Sequence, residues 1–490
     1  MSQKVAVAVV YVAAMFMTIM DTTIVNVALP TLGREFHTRP EAVDAVVIGF
    51  LVSLAVFIPA SGWVGDRFGG RRTLLTAIVL FTAASALCGT ATSLGELVVF
   101  RVLQGVGGGL MTPVGLAMLF RVFPPAERVR ASSILVVPTA LAPALGPVLG
   151  GIFVTELSWR WVFYVNVPIG ICALIFGAVF LEDHLEEQGP GRFDVAGFAA
   201  SGVGLGLLMY GLSDGPIRGW GEPAVVTTTA AGVALLVAMV AIELHTRSPM
   251  VDLRLFSNRL FRASNLVMLL AAMAFIGVLY MVALFYQDGL HLSALQSGLN
   301  TFPEALGVMC GSQLVTRGLY PVLGPRRVIM AGTVVIAGAM AAMTSIGFHT
   351  DLWWARGLLF VIGFGMSGVF IPTQAASMAT ISPAATGRAS TLFNVQRQLG
   401  GAIGVAVLTS VLAAVGPVHL VAGHPTSNLG AYYGGFLTAA GLALAAGMCA
   451  AVAVRDEDAA STMTGRRGPR RPKQLEVAGG AERQATPLAG

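Results

Sequence analysis

Residues 62–72 read Gly-Trp-Val-Gly-Asp-Arg-Phe-Gly-Gly-Arg-Arg and separate two long apolar segments of the chain. The glycines let the backbone reverse direction within a few residues, because glycine adopts conformations that other residues avoid. Asp66 stands beside several arginines and can accept charge-assisted hydrogen bonds from them, which would tie helix ends together. The stretch therefore predicts a structured turn between two helices.

The composition on both sides of this turn is that of an integral membrane protein. Of the 490 residues, 55% are hydrophobic and 11% are charged, whereas about a quarter of the residues in a soluble domain are charged. Mean hydropathy is +0.77. Apolar stretches of about 20 residues, enough for a helix to cross a bilayer, recur from Val5 to Val454. With few strand-like alternations, helices are the expected spanning element.

Fourteen spanning helices are predicted from these stretches. They lie near residues 5–29, 41–63, 73–92, 95–117, 130–153, 161–181, 194–213, 224–244, 262–286, 297–317, 327–347, 353–374, 394–415 and 430–454. An even number puts both termini on one side, and the arginine-rich loops lie on that same side. Because such loops face the cytoplasm, both termini of this multi-pass cell-membrane protein are predicted to be cytoplasmic.

The charged segments divide these helices into groups. The prediction is a six-helix half at 1–181, a linker with two extra helices at 182–261, a second six-helix half at 262–454, and a disordered cytoplasmic tail at 455–490. Two six-helix halves are the count expected of a transporter built from internal repeats. The basic tail either is solvated or contacts anionic lipid.

Several classes of function and site are not indicated. Four single cysteines within apolar segments point to neither disulfides nor a metal site: Cys88, Cys172, Cys310 and Cys449. The net charge of +5 is explained by arginine in cytoplasmic loops, so no nucleic-acid partner is predicted. The sequence contains no metal-spaced histidines, no phosphate-binding loop and no large soluble domain, so it does not suggest an enzyme. We predict no enzymatic activity and no cofactor.

Asp21 places a carboxylate inside the first apolar segment, within the run from Met20 to Pro30. Ionisable groups in membrane spans are usually functional, because a charge there is costly. The alternative is a polar packing residue bonded to a neighbour such as Thr18. Both interpretations are open at this point.

The turn at 62–72 resembles the cytoplasmic signature loop of the major facilitator superfamily, Gly-x-x-x-Asp-Arg-x-Gly-x-Arg-Arg, at every position. The resemblance implies an all-helical membrane fold with an inner gate, in which the Asp66 carboxylate faces arginine and the start of the eleventh core helix. The candidate arginines of this gate are Arg67, Arg71, Arg72 and Arg121. The alternative is that the loop is only an orientation signal.

Three further stretches resemble the fourteen-helix drug:H+ antiporters of that superfamily. They are Asp21–Pro30, Arg101–Gly109 and Ala142–Gly151, and the last matches the antiporter motif with Gly146, Pro147, Gly150 and Gly151. Ser133 and Ala142 replace glycines of the family pattern. An arginine within a helix needs a carboxylate, a wet cavity or carbonyl partners, unless Arg101 reaches the outer interface.

This resemblance implies a multidrug efflux protein of the antibiotic-resistance type. It would export small amphipathic drugs or metabolites by alternating access, exchange them for protons, use the proton gradient as its energy source, and function as a monomer. The alternative is an importer or symporter of one defined solute. A sensor that binds ligand without moving it is a third possibility.

Helix geometry suggests where the charged side chains lie. At 1.5 Å per residue, Asp21 and Arg101 lie roughly 10 Å below the outer ends of their helices, and Glu304 comes out at the same depth. We hypothesise that Asp21 is the main protonatable group, that Arg101 opposes the effect of burial on its protonation, and that Glu304 binds substrate or a second proton. Four other polar residues either line the cavity or bond across helices: Asn26, Gln104, Gln313 and Gln374.

Overall fold

The computed structural model describes residues 2–38, 43, 45–182, 193–246, 251–421 and 424–463. Fourteen long helices, numbered in chain order, account for most of them. They are α1 Gln3–Glu35, α2 Ala45–Phe68, α3 Gly70–Thr90, α4 Leu94–Val122, α5 Arg128–Ile152, α6 Trp161–Phe180, α7 Val195–Arg218, α8 Pro223–His245, α9 Arg259–Leu284, α10 Ala294–Leu314, α11 Tyr320–Ala342, α12 Leu352–Ser377, α13 Thr386–Val415 and α14 Leu429–Ala453.

The predicted fourteen-helix membrane fold is confirmed. Thirteen described segments are long and apolar enough to cross a membrane. One of them, Leu295–Ser345, has 51 residues, which as one straight helix would be roughly 76 Å long and more than twice the thickness of the hydrocarbon core. It contains α10 and α11, which are joined by the π-turn Val315–Leu319. The direction changes at Gly324, where φ is 77°, a value that glycine adopts without strain.

Short elements connect or extend the long helices. The turns are Pro125–Glu127, Phe153–Leu157, Leu253–Ser257, Phe285–Gly289, Met343–Ser345, Pro383–Ala385 and Ala460–Thr462. Strands β1 Val418–Val421 and β2 His424–Ser427 form an antiparallel hairpin between α13 and α14, with Val418 paired to Ser427. The helical pattern of the sequence does not predict this hairpin.

The two six-helix groups repeat the same helix pairs. In the first group α1 packs on α5 and α6, α2 on α4, and α3 on α4 and α6. In the second group the same pairs occur with each helix number raised by eight. The accessory helices α7 and α8 pack on each other, and α7 also touches α2 and α13. The division at 1–181, 182–261 and 262–454 stays a prediction, which this repetition favours.

The two groups touch at both ends of the bundle. We call the end with Ser2 and the 62–72 turn the terminal face, and the opposite end, with Trp159, the far face. Near the far face, a Cβ on Gly298 of α10 would lie 3.2 Å from the Pro147 Cβ of α5. At the terminal face, the hydroxyls of Ser61 on α2 and Thr391 on α13 are 3.1 Å apart.

The segment 455–463 folds back on the terminal face. The Tyr320 hydroxyl lies 2.6 Å from that of Thr462, and Asp456 accepts a hydrogen bond from the Arg326 amide at 2.9 Å. The turn Ala460–Thr462 also touches Pro125–Glu127 of the first group. The prediction that the disordered tail starts at 455 is therefore wrong for these residues, because Thr462 and its apolar neighbours are buried. Residues 464–490 lie outside the described part of the chain.

Candidate functional site

Asp21 lies in a closed polar cluster inside the first six-helix group. It is fully buried on α1 and forms an ion pair with Arg101 of α4, which is also fully buried. Gln104 donates to the Asp21 Oδ1 at 2.9 Å, and Asn166 of α6 donates to the same oxygen at 3.1 Å. The carboxylate therefore accepts from three donors on two other helices, and its bond to Arg101 is charge-assisted. Thr18 instead donates to the Ala14 carbonyl, so it is not the partner of Asp21.

Arg101 is held from several sides. Its Nε donates to the Val46 carbonyl at 3.1 Å, and its Nη1 donates to Gln104 Oε1 at 2.8 Å. The guanidinium carbon lies 4.1 Å from the centre of the Phe50 ring, a distance at which the ring face attracts a cation. The alternative that Arg101 reaches the outer interface is excluded, because its side chain has no exposed surface.

Ser85 and Asn166 complete this cluster, and the sequence analysis did not select either. The Ser85 hydroxyl lies 3.2 Å from the amide nitrogens of both Gln104 and Asn166, and it donates to the Phe163 carbonyl at 2.9 Å. Asn166 is one polar residue within the apolar segment predicted at 161–181, so the hydropathy pattern does not mark it. All these groups lie on α1 to α4 and α6, so the cluster is internal to one half.

Glu304 has a different environment. It lies on α10 with no exposed surface, and among the described residues neither carboxylate oxygen has a hydrogen-bond partner. The helix backbone is close to α12 here, since a Cβ on Gly363 would lie 2.0 Å from the Glu304 carbonyl oxygen. The structure thus brings Asp21 and Arg101 together and leaves Glu304 separate from them.

A narrow cavity lies between the two halves. Its walls come from α1 and α5 on one side and from α9, α12 and α13 on the other. Most apolar side chains of the wall carry a thioether or an aromatic ring: Met15, Met268, Met366, Phe370 and Phe393. Its polar groups are Tyr11, Gln374, Asn394 and Arg397. Such a surface suits an amphipathic molecule, because methionine adapts its shape and packs well on aromatic rings.

Of the four polar residues proposed for the cavity, Gln374 lines it. Gln104 belongs to the Asp21 cluster instead. Asn26 and Gln313 are exposed and are not part of the cavity wall. For these three the cavity assignment is corrected, since depth along a helix does not determine the direction in which the side chain points.

The terminal face brings together residues of the inner gate that the signature loop implies. The Arg121 Nη2 of α4 donates to the Asp66 Oδ1 at 2.9 Å. The same oxygen would be 2.8 Å from a Cβ on Gly387, so the carboxylate lies against the first turn of α13, where the helix dipole favours a negative charge. Asp66 therefore joins α2 and α4 of one half to α13 of the other.

The remaining arginines of the turn have other positions. The Arg71 Nη2 donates to the Ala178 carbonyl at 2.7 Å and so ties α3 to the end of α6. Arg67 and Arg72 are exposed. Arg388, next to the gate, forms an ion pair with Asp252 at 3.2 Å. Arg121 is the candidate arginine that the structure pairs with Asp66.

The antiporter motif on α5 makes close contacts with α1. A Cβ on Gly146 would lie 2.1 Å from the Thr23 hydroxyl oxygen, and one on Gly150 would lie 3.1 Å from the Ile24 carbonyl oxygen. Pro147 faces Gly298 of the other half. A Cβ on Gly151, by contrast, would meet no atom within 4 Å. Only part of the motif is therefore required for close helix packing.

Replacing Gly146 by valine is expected to reduce export strongly and to lower the melting temperature, because no space exists between α5 and α1 for the added carbons. Gly151→Val is the matched control and should behave like the wild type. Dye export by cells and thermal melting of the purified proteins measure both effects. Equal behaviour of the two variants would contradict the packing role of Gly146.

Residues 11–405 match the Major Facilitator Superfamily. The chain is 33% identical over 409 residues to a "Multidrug resistance protein B homolog" of Mycobacterium tuberculosis, with 82% of this chain and 75% of the relative covered. It is 32% identical over 403 residues to the "Tetracenomycin C resistance and export protein" of Streptomyces glaucescens, with 81% and 74% covered.

A solved structure shares the fold. The human organic anion transporter MFSD10 (TETRAN) superposes with a TM-score of 0.65 at 18% identity, covering 92% of this chain and 100% of that one. Among the described residues, no group of three histidine, cysteine, aspartate or glutamate side chains could hold a metal ion. The family match, the two repeated six-helix groups and the Asp66 gate agree: this chain belongs to the Major Facilitator Superfamily.

Proposed function

We propose that this protein exports small amphipathic drugs or metabolites across the cell membrane in exchange for protons. Relatives that match most of the chain are named as multidrug resistance and export proteins, and they support a transporter rather than an enzyme. The antiporter motif on α5, with Gly146 and Gly150 packed on α1, supports export and antiport. The alternative is a family importer of one solute.

One observation carries this proposal: the cavity is lined by both halves and lies between two separate sets of contacts. Asp66 and Thr391 take part in the contacts at the terminal face, and Gly298 and Pro147 in those near the far face. If one set of contacts opens while the other set stays closed, the cavity is exposed to one side of the membrane at a time. This is alternating access. One chain supplies every wall, so a monomer is sufficient.

Glu304 is the better candidate for the coupling proton. A carboxylate that has lost water without gaining a partner is stabilised by taking up a proton. Asp21 already has three donors, and we assign it to the stability and geometry of the first half. Glu304 therefore takes the place of Asp21, the residue expected from the sequence, as the main protonatable group.

The orientation of the chain follows from its arginines. The turn with Arg67, Arg71 and Arg72 and the start of α5 with Arg128 and Arg130 all lie on the terminal face. Positively charged loops are retained in the cytoplasm. We therefore assign the terminal face, with both termini and the Asp66 gate, to the cytoplasm.

Transport in inverted membrane vesicles tests the proposal. When respiration acidifies the vesicle interior, an exporter should accumulate fluorescent dyes or antibiotics inside, and a proton uncoupler should release them. Vesicles with the Gly146→Val variant provide the control for background uptake. Outward movement under the same gradient, or uptake that the uncoupler leaves unchanged, would contradict proton-driven export.

A further inference from the structure

Arg397 is a charged side chain in the cavity wall without a partner. It lies on α13, 11 residues after Thr386, which places it roughly 16 Å from the start of the helix. Among the described residues it forms neither a hydrogen bond nor an ion pair. Two other arginines of the bundle pair with carboxylates, Arg101 with Asp21 and Arg121 with Asp66. The buried Arg128 donates to the Met378 carbonyl instead.

The surroundings of Arg397 do not neutralise it. The other polar groups of the cavity are the Tyr11 hydroxyl and the side-chain amides of Gln374 and Asn394, and none carries a negative charge. The Asn394 amide nitrogen is already bonded to the Ser390 carbonyl at 2.9 Å. A cation in a largely apolar cavity is costly unless an anion or water compensates it.

Glu304 does not compensate the positive charge of Arg397. It lies on α10, and that helix contributes no residue to the cavity wall. Asp21 is bonded within the first half, and the Asp66 carboxylate belongs to the gate. None of these three carboxylates compensates Arg397, which leaves its guanidinium available to an anion that enters the cavity.

We propose that Arg397 binds an acidic group of the substrate, and that the preferred substrates are amphipathic molecules with an apolar, aromatic body and a carboxylate or a similar anion. This inference rests on the proposed transport function and defines its substrate class. A guanidinium can form two parallel hydrogen bonds with a carboxylate. The apolar body would pack on Met15, Met366 and Phe370, which line the same cavity.

Three probes that differ in charge test the proposal: anthracene-2-carboxylate, its neutral methyl ester, and the cationic 2-(aminomethyl)anthracene. The full-length protein in proteoliposomes is expected to be half-saturated by the carboxylate at a concentration about tenfold below that for the ester, as one charge-assisted hydrogen bond accounts for such a factor. Arg397→Gln should remove this preference by weakening only the carboxylate. Arg397→Lys should retain part of it.

The controls separate the role of Arg397 from folding and from transport itself. Arg317→Gln removes an exposed arginine outside the cavity and should keep the wild-type preference. Thermal melting of each purified variant shows whether it is folded. Equal affinity of the wild type for all three probes, a preference that survives in Arg397→Gln, or an equal loss for all three probes would overturn the proposal.

Failure of the transport function has a different signature. In that case no probe moves in response to a proton gradient, even with the wild-type protein. Equilibrium dialysis of the same probes against the purified protein still measures the charge preference of the cavity. Preferential binding of the carboxylate that depends on Arg397 would then support the anion site without export.

Discussion

Replacing Arg101 by methionine is expected to destabilise the protein by about 3–5 kcal/mol, because it leaves the Asp21 carboxylate buried without its charged partner. Methionine fills most of the same volume, so the effect reports the lost charge more than a cavity. Thermal unfolding of the purified protein and the yield of folded protein from membranes measure it. Export should fall with the amount of folded protein.

A second substitution separates electrostatics from packing. Adding Asp21→Asn to Arg101→Met removes the unpaired charge and should restore part of the lost stability, since an amide can still bond to Gln104 and Asn166. Arg160→Met is the matched control, because Arg160 is partly exposed and lies 3.7 Å from the exposed Glu35. Pairs of that kind contribute about 0–1 kcal/mol. A stable Arg101→Met protein would contradict this account of the cluster.

Replacing Glu304 by glutamine is expected to abolish proton-driven accumulation of substrate while leaving exchange of substrate for substrate intact. Glutamine has nearly the same shape but cannot take up and release a proton in this range of pH. A pH-sensitive dye inside proteoliposomes should therefore record no substrate-induced proton movement. Counterflow of labelled substrate, which needs no net proton transfer, should continue.

Glu156→Gln is the control for this experiment, because Glu156 is exposed at the far face. It should retain both proton movement and counterflow. If proton movement persists in Glu304→Gln and is lost in a folded Asp21→Asn protein, Asp21 carries the proton, as the sequence analysis had it. Loss of counterflow as well would assign Glu304 to substrate binding or to structure.

The sequence predicts how deep the charged residues lie but not which way they point. Asp21 and Glu304 were expected at one level by counting residues along helices, and this count says nothing about rotation around the helix axis. In a soluble helix the polar face would indicate that rotation. Here most faces are apolar, because lipid and protein interior select similar residues. The separation of Glu304 from the Asp21 cluster therefore had to come from the structure.

Arg397 was missed for a related reason. The apolar pattern predicted the thirteenth helix at 394–415, which put Arg397 near a water-exposed end. The helix begins at Thr386. Its first turns carry the polar residues Thr386, Ser390 and Thr391, which are buried among other helices. Polar residues buried by tertiary contacts do not mark a helix in a hydropathy pattern. Ser85 and Asn166 were not identified for the same reason, because a single polar residue changes the hydropathy of an apolar segment very little.

The buried cluster around Asp21 also constrains the order of synthesis. Arg101 follows Asp21 by 80 residues along the chain, and Asn166 follows it by 145. At about 5–20 residues per second, the ribosome completes Arg101 roughly 4–16 s after Asp21 and Asn166 roughly 7–29 s after it. The first helix thus enters the membrane before any of its permanent hydrogen-bond donors from other helices exists. The ion pair and hydrogen bonds of Asp21 can form only after the fourth and sixth helices have been synthesised.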